Sequence, residues 1–221
     1  MKTRLCIVRH GETAWNAEGR VQGQMDIPLS AAGKAQARCV AAAFAESRFA
    51  GLYSSDLARV RETAAPASAL LKLPLRLDAR LRERHYGIFQ GLTYAEARAK
   101  LPADYQRFKL KDPDYAFGTG ESLRDFFSRA VACLDEIAAR HEGAEALVFT
   151  HGGVLEMIYR HAMGRGLSTP RDFEVPNAAL NWLERGPAGW SVLGWADCAH
   201  LDAALDDLPE VDLPEADLPN P

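Results

Sequence analysis

The sequence predicts an α/β fold, a three-layer α/β/α sandwich around a mostly parallel central sheet. Short apolar runs of strand length alternate with longer stretches of helical periodicity along most of the 221 residues. This alternation is typical of strands joined by crossover helices, which places the strands parallel in one sheet. No apolar run approaches the roughly 18 residues that a membrane-spanning helix needs.

The first half of the chain predicts three strands and two helices. The run "RLCIV" is the first strand, and the Ala-rich stretch "LSAAGKAQARCVAAAFAES" is a helix that Ser30 is placed to cap. The second strand is "AGLYSS", and the helix "DLARVRETA" follows it until Pro66, which should kink or end it. The run "LPLRL" contains a proline and is therefore expected at a sheet edge.

The second half continues the alternation. The stretch "ESLRDFFSRAVACLDEIAARHEG" predicts an amphipathic helix that ends at Gly143, with one apolar stripe made of Leu123, Phe127, Val131, Leu134 and Ile137. The strand "ALVFT" follows, and "HGG" separates it from the helix "VLEMIYRHAMG". The runs "ALNWLE" and "WSVLGW" predict a hairpin that turns through "RGPAG".

We expect one domain over residues 1–200. Residues 84–120 mix aromatic residues, glycines, prolines and short helical pieces, which predicts a lid or specificity wall over a site. Residues 201–221 contain four prolines and seven of the 30 acidic residues, and we expect this acidic tail to be disordered. The remaining 23 acidic and 26 basic residues make the body mildly cationic, which suits a small anionic substrate.

Several classes of protein are disfavoured by composition. No basic run is long enough to predict nucleic-acid binding, and the N-terminus does not read as a signal peptide. The four cysteines are scattered without a CxxC pair, which predicts reduced thiols and a cytoplasmic location. His10, His85 and His151 lack metal-ligand spacing, so we expect catalysis without a metal or any other cofactor.

Polar residues follow three of the predicted strands. Arg9 and His10 come after "LCIV", Arg59 comes soon after "LYSS", and His151 comes after "LVFT". In a parallel sheet these positions meet at one edge, where ligands of open α/β sheets bind. Two imidazoles between two guanidiniums repel one another unless an anion lies among them, and the planar fork of arginine suits phosphate oxygens. The sequence therefore predicts a phosphate site.

This set of residues also predicts a reaction. A neutral imidazole is a competent nucleophile toward phosphorus, so transfer to His10 would give a phosphohistidine that water can hydrolyse. Arg9, Arg59 and His151 would stabilise charge on the transferring group. Glu83 is a candidate general acid for the leaving group, although its spacing alone slightly favours a surface carboxylate paired with Arg82 or Arg84. Arg61 is two residues from Arg59 on a helix and is assigned to structure or solvent.

Six blocks in order resemble the histidine phosphatase superfamily, the phosphoglycerate mutase-like clan: "RHGETAWN", "GRVQGQMDIPLSAAGKAQA", "SSDLARVRETA", "LRERHYGIFQG", "GTGES" and "THGG". The resemblance implies a phosphoglycerate mutase-like fold and a histidine acid phosphatase-type phosphoric monoester hydrolase. It implies His10 (of the RHG motif) as the phosphorylated nucleophile, Glu83 as the proton donor, and a phosphate pocket formed by Arg9, Asn16, Arg59 and His151. It also implies that Gln22 and Gly23 pass beside the phosphate and that Gly152 and Tyr86 face the substrate.

Two alternatives stay open beside the phosphatase. The block "ERHYG" resembles that of cofactor-dependent phosphoglycerate mutases, but Tyr94 stands where those enzymes carry a lysine, and "YQRFKLK" has no arginine pair. A phosphate-binding module without turnover is the third reading. The aromatic residues of 84–120 predict a wall for an uncharged substrate body or a small core of their own, while Lys109 and Lys111 could select a multiply phosphorylated sugar. We expect a small phosphomonoester as substrate, no nucleic acid or membrane partner, and a monomer or homodimer.

Overall fold

Six strands form one sheet in the structure, a computed structural model that describes residues 1–202. In chain order they are β1 (Thr3–Arg9), β2 (Gly51–Ser54), β3 (Leu75–Leu77), β4 (Glu145–Thr150), β5 (Leu180–Gly186) and β6 (Gly189–Asp197). Across the sheet the order is β3-β2-β4-β1-β5-β6. The first four in that order are parallel, whereas β5 and β6 form an antiparallel hairpin beside β1. The mostly parallel sheet, the hairpin and the edge position of "LPLRL" are thus confirmed.

Seven α-helices connect or cover these strands within the described residues. They are α1 (Ala14–Ala17), α2 (Ala31–Ala43), α3 (Ala58–Leu71), α4 (Tyr94–Lys100), α5 (Pro102–Lys109), α6 (Leu123–Arg140) and α7 (Gly152–Ala162). The Ser30 side chain accepts a hydrogen bond from the Gly33 amide at the start of α2, as an N-cap should. None of the helices in residues 1–202 is long and apolar enough to cross a membrane.

The layers follow from the alternation of side chains along the strands. Leu5 and Ile7 of β1 point into an apolar cluster with α6 and α7, while Cys6 and Val8 point into a second cluster with α2 and α3. The sheet is therefore covered on both faces, and the α/β/α sandwich is confirmed. The prediction of one domain over residues 1–200 stays a prediction, and the acidic tail from residue 203 onward lies outside the described residues.

Two details of the helices differ from the expectation. Helix α3 does not end at Pro66 but continues to Leu71. The proline forfeits one backbone hydrogen bond, while Ala64 and Ala67 on either side of it are fully buried against the sheet and hold the helix together. In α6 the predicted residues Val131, Leu134 and Ile137 are buried. Leu123 and Phe127 are only partly buried, and Phe126 is buried instead.

The excursion at residues 84–120 contains α4, α5 and a 3₁₀ turn over Gly87–Phe89. Phe89, Tyr115 and Phe117 are buried with Val21 and Ala97 in a third apolar cluster, separate from the two that cover the faces of the sheet. The excursion thus has a small core of its own. Several aromatic residues of the same segment, Tyr115 and Phe117 among them, also line a cavity described below. A wall for an uncharged substrate body stays a prediction.

Candidate active site

The carboxyl ends of β1, β2 and β4 lie side by side at one edge of the sheet. Arg9 is in register with Thr150, and Ser54 is in register with Phe149. The residue after each strand is therefore delivered to the same place, and the ring centroids of His10 and His151 are 5.2 Å apart. A cavity of about 550 Å³, here called the rim cavity, opens at this edge.

His10 is nearly fully buried, and its tautomer follows from its neighbours. Its Nδ1 lies 2.7 Å from the carbonyl oxygen of Gly11, which can only accept a hydrogen bond. Nδ1 must therefore carry the proton, and the lone pair is on Nε2. His10 lines the rim cavity, so a nucleophilic nitrogen is available there.

His151 is held in the opposite tautomer. Its Nδ1 lies 3.1 Å from Nη2 of Arg59, a group that can only donate, so Nδ1 accepts and Nε2 carries the proton. Nε2 then donates to the hydroxyl oxygen of Ser55 at 3.0 Å. Both nitrogens are thus occupied within the protein, and the ring is fully buried against His10. Direct contact between His151 and a phosphate stays a prediction.

Arg59 lies in the first turn of α3 and is 1% exposed. Its two terminal nitrogens donate to the carbonyl oxygens of Met25 (2.8 Å) and Gly23 (2.7 Å). Gly23 has a φ of +54°, and a side chain there would also collide with Gln90. Glycine is therefore favoured in the loop that holds Arg59 in place.

Arg9 reaches the same cavity from the end of β1. Its Nη1 donates to the carbonyl oxygen of Val175 at 2.5 Å. Its Nε lies close to Gly152, where an added Cβ would stand only 3.3 Å away. The start of α7 thus approaches the guanidinium closely, and the amino-terminal end of that helix adds partial positive charge to the cavity.

Burial and like charges perturb these four groups. Burial, together with the nearby charges of Arg59 and Arg9, holds the pKa of His10 well below its usual 6.5. Burial and the Arg59 charge do the same to the pKa of His151. Burial lowers the pKa of both Arg9 and Arg59 to about 10, even though the Glu83 carboxylate opposes the shift. The imidazoles are thus neutral and the guanidiniums charged at neutral pH.

The unpaired polar atoms of the described residues are concentrated here. Four buried side-chain nitrogen or oxygen atoms have no hydrogen-bond partner, and three of them belong to Arg9 (Nε), Arg59 (Nε) and Gln22 (Oε1). Two buried cations with spare N–H donors at one cavity match the needs of an oxyanion. The arrangement can therefore bind a phosphoryl group with the Nε2 of His10 beside it.

Glu83 lies in the rim cavity and not in the alternative surface pair. Its Oε1 accepts from the backbone amide of Arg84 at 2.7 Å, and its Oε2 accepts from that of Gly153 at 2.9 Å. Arg82 instead pairs with Asp56. A Cβ at Gly153 would lie 2.0 Å from Glu83 Oε1, so glycine is needed for the carboxylate to approach the start of α7.

The other predicted site residues also line the rim cavity. Asn16, Gln22, Gly23, Tyr86 and Gly152 all contribute to its surface. The Oδ1 of Asn16 accepts from the amide of Thr13 at 3.1 Å, so the same side chain also caps α1. Arg61 is exposed, as expected. The roles of all these residues toward a substrate stay predictions.

Sequence reasoning missed several contributors. Ser55, which orients His151, directly follows a strand, so the rule that identified His10 would also have found it. Thr63 accepts from the Gly11 amide and donates to the Arg59 carbonyl, which ties α3 to the loop after β1. Glu156 and Arg171 line the cavity as well, but nothing in the local sequence pattern points to Arg171.

The two buried histidines predict acid sensitivity of the fold. Below about pH 6.5, His10 and His151 bind protons in the unfolded chain but stay neutral in the folded protein, because their pKa values are lowered there. The free energy of unfolding therefore falls as the pH falls. Each histidine lowers the free energy of unfolding by up to about 1.4 kcal/mol for each pH unit of acidification, which corresponds to a fall in Tm of roughly 3–5 °C. Thermal unfolding between about pH 7.5 and pH 5 should show this decline.

The variant His10→Asn keeps a donor near the position of Nδ1 but removes one titrating group. We expect a shallower fall of Tm with acid for this variant, whereas His161→Gln, at an exposed position of α7, should keep the slope of the unchanged protein. Parallel curves for all three proteins would contradict the neutral, buried state assigned to His10.

Comparisons with known proteins show the family of the chain. The sequence model described as "Histidine phosphatase superfamily (branch 1)" matches residues 5–198. A phosphoglycerate mutase-like protein 4 of Arabidopsis thaliana is 42% identical over 161 residues, covering 72% of this chain and 70% of the relative. A metal-independent phosphoserine phosphatase of the same plant is 40% identical over 160 residues, covering 71% and 67% respectively. The solved structure of Bacillus stearothermophilus YhfR superposes with a TM-score of 0.84 at 31% identity, covering 90% of this chain and 99% of that protein.

Proposed function

The chain belongs to the histidine phosphatase superfamily and has its phosphomonoesterase activity, and from this premise we propose that it hydrolyses a small phosphorylated metabolite through a phosphohistidine at His10. The observation that carries the proposal is the neutral His10 in the rim cavity, with its lone pair on Nε2 and two buried guanidiniums beside it. A nucleophile, its charge-stabilising donors and a carboxyl group share one cavity.

The proposed reaction has two steps. In the first, His10 Nε2 forms a bond to phosphorus while the bond from phosphorus to the ester oxygen breaks, and Glu83 gives its proton to that oxygen. In the second, water attacks phosphorus, Glu83 takes the proton of the water, and the bond between phosphorus and nitrogen breaks. Arg9 and Arg59 carry the charge of the transferring group in both steps, which keeps the nucleophile neutral and the phosphoryl oxygens bound.

The finer features of the proposal rest on separate observations. Hydrolysis of the acid phosphatase type is supported by the low pKa of His10, which leaves the nucleophile unprotonated below pH 6.5. The four free cysteines support a cytoplasmic location. We propose a monomer or homodimer that acts on small molecules and not on nucleic acid. Phosphoserine, for which the Arabidopsis relative is named, is the first substrate to assay.

A phosphate-release assay tests the proposed function against the mutase alternative. We expect inorganic phosphate from p-nitrophenyl phosphate and from at least one alkyl phosphomonoester, because water can reach a phosphohistidine in an open cavity. With 3-phosphoglycerate we expect release of phosphate to exceed formation of 2-phosphoglycerate. Interconversion of the two phosphoglycerates faster than phosphate release would reverse the assignment, and failure to release phosphate from any ester would favour a module that only binds phosphate.

A further inference from the structure

A second cavity of about 440 Å³, here called the distal cavity, adjoins the rim cavity. The two share part of their lining: Tyr86, Tyr94, Gly153, Glu156 and Arg171. A molecule bound with its phosphoryl group beside His10 therefore has room to extend the rest of its structure past these shared residues. The distal cavity is the place for the alcohol portion of the substrate.

Helix α7 gives the direction of that extension. Its first residue, Gly152, lies beside Arg9, and the amide of Gly153 holds Glu83 Oε2. Glu156 lies one helical turn further on and therefore on the same face. Along α7, the residue beside the phosphoryl site comes first, the residue that holds the general acid second, and Glu156 third. A phosphomonoester has the same order of parts: phosphorus, then the ester oxygen, then the carbon skeleton.

Glu156 is already paired with a buried arginine on the side away from the cavity. Its Oε1 accepts from Nε (2.9 Å) and Nη2 (2.7 Å) of Arg160, whose side chain is fully buried. Two further cations approach the same carboxylate, Lys111 with its Nζ 3.8 Å from Oε1 and Arg171 with its Nη1 3.6 Å from Oε2. Both distances are longer than a hydrogen bond, so these two cations keep donors for another partner.

The other cations of the distal cavity are already satisfied. Arg107 donates from two nitrogens to a carboxylate oxygen of Asp112. Arg84 donates to the carbonyl oxygens of Glu121 and Tyr115 and lies over the ring of Phe117. Lys111, by contrast, makes one long side-chain hydrogen bond, to Thr169, and the Arg171 side chain makes none within the described residues, so these two cations have the most donors available.

Two separate segments bring this pair of cations together. Lys111 follows α5 in the excursion, and Arg171 lies in the segment between α7 and β5. The segments are joined where Lys111 Nζ donates to the carbonyl oxygen of Thr169 and Ser168 Oγ donates to that of Lys111, both at 3.3 Å. Glu156 thus acts as a positioning residue that gathers both cations at one wall of the distal cavity.

We propose that Lys111 and Arg171 form an anion-binding subsite for a second negatively charged group on the alcohol portion of the substrate. The proposal rests on the proposed function, because it assigns the phosphoryl group to His10 and the second anion to the distal cavity. The subsite selects phosphomonoesters that carry a carboxylate, or a second phosphoryl group, over neutral analogues of the same carbon skeleton. Lys109, two residues before Lys111, is exposed and does not line the cavity.

Matched substrates isolate the contribution of the second anion. The carboxylate pairs are 3-phosphoglycerate with glycerol 3-phosphate and phosphoserine with phosphoethanolamine, and the phosphoryl pair is fructose 1,6-bisphosphate with fructose 6-phosphate. For each pair the ratio of the two kcat/KM values cancels differences in the folded fraction of a variant. We expect the anionic member to be preferred by about tenfold or more in at least one pair, as a charge-assisted contact provides.

The variants Arg171→Gln and Lys111→Gln should each lower the ratio of kcat/KM values for the preferred pair about three- to tenfold, because each removes one half-exposed cation from the subsite. The change should come from a higher KM for the anionic member of the pair. Lys109→Gln removes the same charge two residues away and should leave the ratio unchanged. Both side chains lie near the surface, so neither variant removes a core contact.

The outcomes separate the two proposals. If both variants lower the ratio of kcat/KM values for a carboxylate pair, the subsite binds a carboxylate. If they lower the ratio for the phosphoryl pair, the subsite binds a second phosphoryl group. Equal turnover within every pair, or variants that slow both members of a pair equally, would overturn the subsite while leaving the hydrolase intact. No turnover of any ester, p-nitrophenyl phosphate included, would instead overturn the proposed function.

Discussion

Replacing His10 with alanine is expected to lower kcat for p-nitrophenyl phosphate by about 10⁴-fold or more, because the proposed reaction has no other route for phosphoryl transfer. Nε2 of His10 is the nucleophilic nitrogen placed in the rim cavity, whereas both nitrogens of His151 are occupied by Arg59 and Ser55. His151 should therefore not substitute as nucleophile. Steady-state release of p-nitrophenol measures the effect.

Binding should survive this substitution. Arg9 and Arg59 keep their spare donors in the His10→Ala variant, so phosphate or vanadate should still raise its Tm. A ligand at a hundred times its Kd contributes about 2.7 kcal/mol, or roughly 5–10 °C for a chain of this size. The exposed His161 gives the matched control, and His161→Gln should retain turnover. Turnover retained by His10→Ala would identify a different nucleophile.

Much of the architecture can be predicted from the sequence because strands and helices each have a characteristic spacing of apolar residues. Leu5, Cys6, Ile7 and Val8 form an unbroken apolar run, which predicts a strand buried on both faces, and the structure places these side chains in the two apolar clusters. The continuation of α3 past Pro66 could not be read in the same way. It depends on tertiary burial of neighbouring alanines, which outweighs the local cost of the proline.

The same distinction between regular elements and tertiary contacts explains which site residues can be predicted from the sequence. Arg9, His10 and His151 were found because they directly follow parallel strands, and the topology of the sheet brings such positions together. Glu83 and Arg171 lie on irregular segments, whose course depends on contacts with α7 and with the excursion. Glu83 was assigned by resemblance and not by spacing, and Arg171 was not found at all, since only folding brings it to Glu156.

Replacing Glu83 with glutamine is expected to separate substrates by their leaving groups. The amide has nearly the same shape but cannot protonate the departing oxygen. An alkoxide needs that proton, so kcat/KM for alkyl phosphomonoesters should fall by about 10²–10³-fold, within the range of general acid catalysis. The p-nitrophenolate ion is a stable anion and leaves without a proton, so its ester should lose less than about fivefold in kcat/KM.

The choice of kinetic constant decides whether this experiment is informative. Glu83 is also proposed to accept the proton of the water that hydrolyses the phosphohistidine, so kcat should fall for both esters when that second step becomes slow. The constant kcat/KM reports only the steps up to departure of the alcohol and keeps the two roles apart. A burst of p-nitrophenol equal to the enzyme present, followed by slow turnover, would reveal the accumulated phosphoenzyme.

A second carboxylate of the rim cavity provides the control. Glu174 is exposed at the opening, and Glu174→Gln makes the same chemical change, from carboxyl to carboxamide, elsewhere in the same cavity. Since it has no hydrogen bond to the start of α7, any effect on kcat/KM should be the same for alkyl and aryl esters. If Glu83→Gln also slows the two classes of ester equally in kcat/KM, its carboxyl group acts on the charge of the cavity and not on the leaving oxygen.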